Sequence, residues 1–171
     1  MRHLPNLLSA ARLAIAPWVI ILILRGQARP VLLWFAIAAI TDALDGWLAR
    51  RLEAESPFGQ LLDPIADKVL LSGVFVALAV TAAIPWWLAW LVLGRDVLIL
   101  LFAAGALLSS KTRSGFPPSI WGKLSTIVQM VFVVAVVIDQ AGFGLPIAPL
   151  LWLTAALTAG SALHYARRAM P

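Results

Sequence analysis

Apolar residues along this chain fall into six long blocks, and proline, glycine or charged residues separate them. The blocks are about Leu7–Leu24, Pro30–Ala49, Leu61–Ala82, Ile84–Leu108, Ile120–Ile138 and Pro146–Tyr165. Each comes close to the roughly 20 mostly apolar residues that a helix needs to cross a bilayer. Strands are not expected, because an open sheet cannot satisfy its backbone within lipid. The connections are short, and there is no internal repeat of the kind that builds solenoids. The pattern predicts one all-α domain over residues 1–171, a membrane bundle of six transmembrane helices. The start, Met1-Arg2-His3-Leu4-Pro5, resembles the charged end of a signal peptide. No small-residue cleavage site follows it, so the first block is expected to stay as a membrane helix.

Composition supports the pattern. Of 171 residues, 62% are hydrophobic and 12% charged, against about 25% charged in ordinary soluble domains. One core could not hide that much apolar surface in water, and disordered chains are apolar-poor. Cysteine is absent, which removes disulfides, thiolate metal sites and thiol nucleophiles. The net charge of +5 would suggest nucleic acid for a soluble protein. In a membrane protein it points to the cytoplasmic rim and anionic lipid, so no nucleic-acid partner is expected.

The basic residues also give an orientation. Arg2, Arg50, Arg51, Lys111, Arg113, Arg167 and Arg168 fall on one side, and Arg25 and Arg29 on the other. The positive-inside rule then places both termini, and the 50–59 and 109–119 loops, in the cytoplasm. Trp86 and Trp87 fall at the opposite boundary, where aromatic belts form.

The charges kept inside the blocks are the informative ones, because ionisable groups in lipid are costly. Asp42, Asp45, Asp63, Asp67 and Lys68 lie in the second and third blocks, and Arg95 and Asp96 in the fourth. Arg12 and Lys123 lie one to two turns inside the first and fifth. Asp42 and Asp45 are three apart, and Asp63 and Asp67 four apart, so each pair projects from one helix face. Two antiparallel helices can bring all four carboxylates together below the cytoplasmic surface, where they would repel unless paired or bound to cations. An all-oxygen set suits Mg²⁺, Mn²⁺ or Ca²⁺. Gly46 and Ala49 leave room for close approach, and Arg50 can clamp phosphate at the helix exit. Three readings fit these residues: a metal–pyrophosphate site, a metal-ion or proton transporter, and structural ion pairs with Arg95, Lys68 and Lys123. The nearly apolar outer halves, such as Leu70–Ala82 and Val131–Ile138, tell against a transport path.

The run Asp42-x2-Asp45-Gly46-x2-Ala49-Arg50-x8-Gly59-x3-Asp63-x3-Asp67 resembles the signature of the CDP-alcohol phosphatidyltransferases at all its positions. The resemblance extends over essentially the whole chain. It implies transfer of a phosphatidyl group from CDP-diacylglycerol to an alcohol, with release of CMP. It implies two divalent cations, Mg²⁺ or Mn²⁺, on Asp42, Asp45, Asp63 and Asp67, with Asp67 also the catalytic base. Asp45, Gly46, Ala49, Arg50 and Gly59 would bind CDP. It further implies a site facing the cytoplasm and a homodimer; the short chain, with no targeting extension, is expected in a bacterial inner membrane.

The acceptor is narrowed by other segments. Leu4-Pro5-Asn6-Leu7-Leu8-Ser9-x2-Arg12 resembles both the phosphatidylglycerophosphate synthases, which use glycerol 3-phosphate, and the CMP-forming cardiolipin synthases, which use phosphatidylglycerol. Arg95-Asp96, Ser125 within Trp121–Thr126, and the end from Leu153 to Tyr165 resemble the cardiolipin type more. Phosphatidylglycerol is therefore the expected acceptor and glycerol 3-phosphate the alternative. Arg95, Lys123 and Arg12 are the candidates for its phosphate. Lys68 is read as a counter-ion, Asp96 as orienting Arg95, His164 as interfacial and Asp139 as merely hydrated.

Overall fold

The computed structural model describes residues 15–37, 57–108 and 120–169, with side chains at 15–37, 68–101 and 120–167. Six helices lie in these stretches. They are α1 (Ile15–Leu24) and α2 (Ala28–Ile37), α3 (Pro57–Val80), α4 (Trp86–Leu108), α5 (Ile120–Ile138) and α6 (Ile147–Ala169). A π-helical turn, Asp139–Phe143, continues α5. No strand occurs among the described residues. The fifth expected span coincides with α5, whereas α3 begins four residues before its apolar block and α6 runs four residues past its own. Pro57 opens α3, where its missing N–H is no loss and its fixed φ suits a first turn.

The α1–α2 and α3–α4 connections are tight because the chain reverses within a few residues. Gly26, at φ +67°, ends α1 in a Schellman turn. Its N–H donates to Ile23 O at 2.9 Å, and the Gln27 N–H to Leu22 O at 3.0 Å. The end of α3 repeats the motif with an alanine. Ala82 holds φ +56°, while its N–H donates to Ala79 O at 3.1 Å and the Ala83 N–H to Leu78 O at 2.9 Å. A left-handed residue with a Cβ costs about 1–2 kcal/mol. The two capping bonds and the burial of Ile84 directly after the turn hold it there.

The core draws on all six helices. Val19 and Leu22 of α1, Val31 of α2 and Val74, Phe75 and Leu78 of α3 are buried in it. They join Leu88 and Val92 of α4, Phe132, Val133 and Val136 of α5 and Ala155 of α6. The Phe75 and Phe132 rings stack at 6.1 Å, which fastens α3 to α5. At Gly73 a Cβ would lie 2.6 Å from Ile20 Cδ1, so α1 sits close against α3.

Polar side chains share the interior with this core, and large apolar ones cover much of the outside. Arg95, Asp96, Ser125, Gln129, Thr154, Thr158 and Ser161 are buried. Trp90, Leu101, Ile120, Phe143, Trp152 and Leu163 are each at least 60% exposed. So large an apolar exterior is unusual for a protein surrounded by water. Among the described residues, two segments are long and apolar enough to cross a membrane, Ile120–Phe143 with 24 residues and Ile147–Arg167 with 21. At 1.5 Å per residue they extend for about 36 and 32 Å, against a hydrocarbon core of about 30 Å. Trp87 stacks on Trp152 at 5.7 Å at one end of the α4–α6 contact.

Candidate active site

The buried charges gather where α4 meets α3, α5 and α6. Neighbouring residues on a helix do not face one another, yet the long Arg95 side chain folds back to its neighbour. Its Nη1 donates to Asp96 Oδ1 at 2.6 Å. Its Nε donates to Ser161 Oγ on α6 at 3.3 Å, and its Nη2 to the Gly122 carbonyl on α5 at 2.9 Å. Three helices thus fix one guanidinium plane. The Asp96 carboxylate, expected beside Arg95, meets other partners as well. Asp96 Oδ1 also accepts from Lys68 Nζ at 3.1 Å, and Oδ2 from Ser72 Oγ at 3.4 Å. Lys68 and Ser72 are one turn apart on α3 and so share a face. Lys68 is the counter-ion the sequence suggested, and its described partner is Asp96.

Beside this cluster lies a cavity of about 410 Å³ between α4 and α5, open along one side. Lys68, Arg95 and Lys123 supply its cations, and Thr126 and Tyr165 its hydroxyls. Ile99, Ile127 and Met130 form an apolar wall. Ile127 and Met130 are also exposed on the outer face of α5. The one carboxylate of the cluster, Asp96, is not in the lining, so the described lining is positive. Such a cavity suits an anion on an apolar stem, since phosphate oxygens accept charge-assisted bonds from Arg and Lys.

Gly122 determines how closely these parts approach. A Cβ there would lie 3.0 Å from the Tyr165 hydroxyl and 3.5 Å from Arg95 Nη2. Its carbonyl also accepts from Thr126 Oγ1 at 3.1 Å. Below it, a polar seam joins α5 to α6. Gln129 Nε2 donates to Thr158 Oγ1 at 2.9 Å and to Ser125 Oγ at 3.4 Å, and the two hydroxyls are 3.4 Å apart. Gln129 Oε1 is buried without a partner.

The structure brings Arg95, Lys123 and Lys68 to one cavity. Asp63 and Asp67 lie one turn apart in the first half of α3, and Gly59 lies in its first turn. Arg12, Asp42, Asp45, Gly46, Ala49 and Arg50 fall outside the described residues. No group of three or more potential metal ligands occurs among the described residues. Ser72, Ser161 and the Gly122 carbonyl complete the cluster and were not assigned from the sequence. Spacing did carry a signal, because Gly122, Ser125 and Gln129, and likewise Thr154, Thr158 and Ser161, recur at three and four residues. Asp139, expected to be only hydrated, accepts the Leu145 N–H at 2.9 Å across the turn between α5 and α6. His164 is half-buried and packs edge-on to Tyr165.

A sequence model of the CDP-alcohol phosphatidyltransferase family matches residues 2–160. A probable phosphatidylglycerophosphate synthase of Mycobacterium tuberculosis is 33% identical over 98% of this chain and 82% of its own length. A CDP-diacylglycerol--glycerol-3-phosphate 3-phosphatidyltransferase of Pseudomonas fluorescens is 31% identical over 99% of this chain and 91% of its own. A CMP-forming cardiolipin synthase of Streptomyces coelicolor is 39% identical over 67% of this chain and 54% of its own.

Proposed function

The chain belongs to the CDP-alcohol phosphatidyltransferase family, an enzyme class that releases CMP, and from that premise we propose that it makes cardiolipin. It transfers the phosphatidyl group of CDP-diacylglycerol to phosphatidylglycerol. The observation that supports this acceptor is the mixed lining of the cavity between α4 and α5. Lys68, Arg95 and Lys123 meet a phosphate there, and Ile99, Ile127 and Met130 meet what a lipid attaches to it. Glycerol 3-phosphate has no apolar part for that wall. It is nonetheless the second reading, because the two relatives that match nearly the whole chain carry names of that activity.

Family members generally use divalent metals, and the donor chemistry of this chain fits them. Asp63 and Asp67 stand one turn apart on α3, and with Asp42 and Asp45 they form an all-oxygen set suited to Mg²⁺ or Mn²⁺. Two such ions, when bound, neutralise the pyrophosphate and stabilise the entering and leaving oxygens. Gly46, Ala49, Arg50 and Gly59 hold the CDP end, with Asp45. The acceptor hydroxyl attacks the phosphorus that carries the diacylglycerol, and Asp67 takes its proton. The bond from that phosphorus to the CMP phosphate oxygen breaks, and CMP leaves. Arg95 and Lys123, with Arg12, hold the acceptor phosphate so that the hydroxyl meets Asp67, a gain in orientation that enzymes use widely. All six helices cross the bacterial inner membrane, both termini and the site face the cytoplasm, and the protein works as a homodimer.

The test supplies purified protein in micelles with CDP-diacylglycerol, Mg²⁺ or Mn²⁺, and either acceptor. CMP release that stops with EDTA is expected. A folded protein that releases no CMP with either acceptor refutes the activity. Flux of Mg²⁺ or protons through liposomes lacking CDP-diacylglycerol would favour a transporter instead.

A further inference from the structure

We propose that Asp96 is a positioning residue that sets the acceptor clamp in register with the Asp67-bearing turn of α3. This rests on the acceptor role proposed for the Arg95 cavity. Asp96 does not line that cavity, and its side chain is 6% exposed, so it does not touch an acceptor. It touches two of the three cations in the lining, Arg95 and Lys68. Its Oδ1 takes Arg95 Nη1 at 2.6 Å and Lys68 Nζ at 3.1 Å, and its Oδ2 takes Ser72 Oγ at 3.4 Å.

The two cations come from different helices. Arg95 belongs to α4, and Lys68 and Ser72 belong to α3. Lys68 directly follows Asp67, so pinning Lys68 fixes the turn that carries the proposed base. The guanidinium has five N–H donors. Its bonds to Asp96, Ser161 and the Gly122 carbonyl use three. One donor remains on each terminal nitrogen, the pair that can meet a phosphate through two bonds. Charge balance alone would need any carboxylate nearby. This one shares a single oxygen between two cations of two helices and orients its other oxygen with a serine.

The experiment measures steady-state kinetics in mixed micelles with CDP-diacylglycerol and each acceptor. Asp96→Asn keeps the shape and removes the charge. It should raise the KM for the acceptor by about tenfold or more, as the loss of a charge-assisted contact does. The KM for CDP-diacylglycerol should stay within about twofold, since the clamp does not hold the nucleotide. Asp96→Glu should recover part of the loss. Ser72→Ala acts only through Asp96 Oδ2 and conserves every charge. It should raise the acceptor KM by about threefold, since at 3.4 Å the bond is long and correspondingly weak, and it decides the question if Asp96→Asn does not fold. An unchanged acceptor KM in Ser72→Ala, or in a folded Asp96→Asn, overturns the proposal. So does an equal rise in both KM values, which would mark a general loss of structure. A parent protein that releases no CMP refutes the function itself, whereas silent variants of an active parent refute only the positioning role.

Discussion

Replacing Gly122 by alanine tests how finely the clamp is fitted. The added Cβ would stand 3.0 Å from the Tyr165 hydroxyl, 3.4 Å from Tyr165 Cε2 and 3.5 Å from Arg95 Nη2. Alanine in a helix interior gains about 1 kcal/mol over glycine. Overpacking of a filled site costs about 1–3 kcal/mol. The net is a loss of up to about 2 kcal/mol, or a fall in Tm of about 2–4 °C for each kcal/mol at this chain length. Activity should suffer more than stability. Arg95 Nη2 donates to the carbonyl of this residue at 2.9 Å, and bonds to charged groups contribute about 1.5–3 kcal/mol. Partial displacement of the guanidinium should lower kcat/KM for the acceptor by about tenfold. The assay pairs thermal unfolding in micelles with acceptor kinetics at saturating CDP-diacylglycerol. Gly94→Ala and Gly160→Ala serve as controls, because a Cβ at either meets nothing within 4 Å. Each should gain about 1 kcal/mol at unchanged kinetics. The reasoning is refuted if Gly122→Ala behaves as the controls do.

Three further outcomes are expected. Arg95→Lys keeps the charge but cannot make the three bonds to Asp96, Ser161 and Gly122, so acceptor kcat/KM should fall by about a hundredfold, and a fall of less than about threefold contradicts the clamp. Gln129→Met removes an amide whose buried oxygen has no partner; stability measured by unfolding should stay within about 1 kcal/mol with unchanged acceptor kinetics, and a loss above about 3 kcal/mol contradicts the reading of that seam. Asp67→Asn should abolish CMP release while CDP binding, measured by titration calorimetry, persists. Full turnover in that variant removes Asp67 as the base.

The helices were legible where hydropathy and helix ends coincide. Ile120 and Ile138 bound both the apolar block and α5. They diverge in α3, whose first turn starts at Pro57 before the apolar run, and in α6, which continues through Arg167. Hydropathy reports depth in the membrane, whereas a helix ends where its backbone bonds do. In the site, Arg95 and Lys123 stood out because charge is costly in lipid. The partners of Arg95 did not, since Ser161 and the Gly122 carbonyl reach it only once α4, α5 and α6 pack together. Gln129 and Thr158 showed only in their three- and four-residue spacing, because one hydroxyl or amide per turn hardly alters the apolarity of a 20-residue window. For Asp96 the neighbouring arginine was readable from the sequence. The bonds to Lys68 and Ser72 depend on how α3 lies on α4, which local spacing does not specify. The Ala82 turn was also hidden, because a left-handed position normally announces itself by glycine.

The central claim is that a cavity with three cations and an apolar wall selects a lipid acceptor. It is tested most directly by identifying the lipid made by the purified protein. CDP-diacylglycerol and Mg²⁺ or Mn²⁺ are supplied with equimolar phosphatidylglycerol and glycerol 3-phosphate, and the products are separated and weighed by mass spectrometry. Cardiolipin as the main product is the expected result. Phosphatidylglycerophosphate as the main product would contradict it and leave the apolar wall of Ile99, Ile127 and Met130 without a part in acceptor choice.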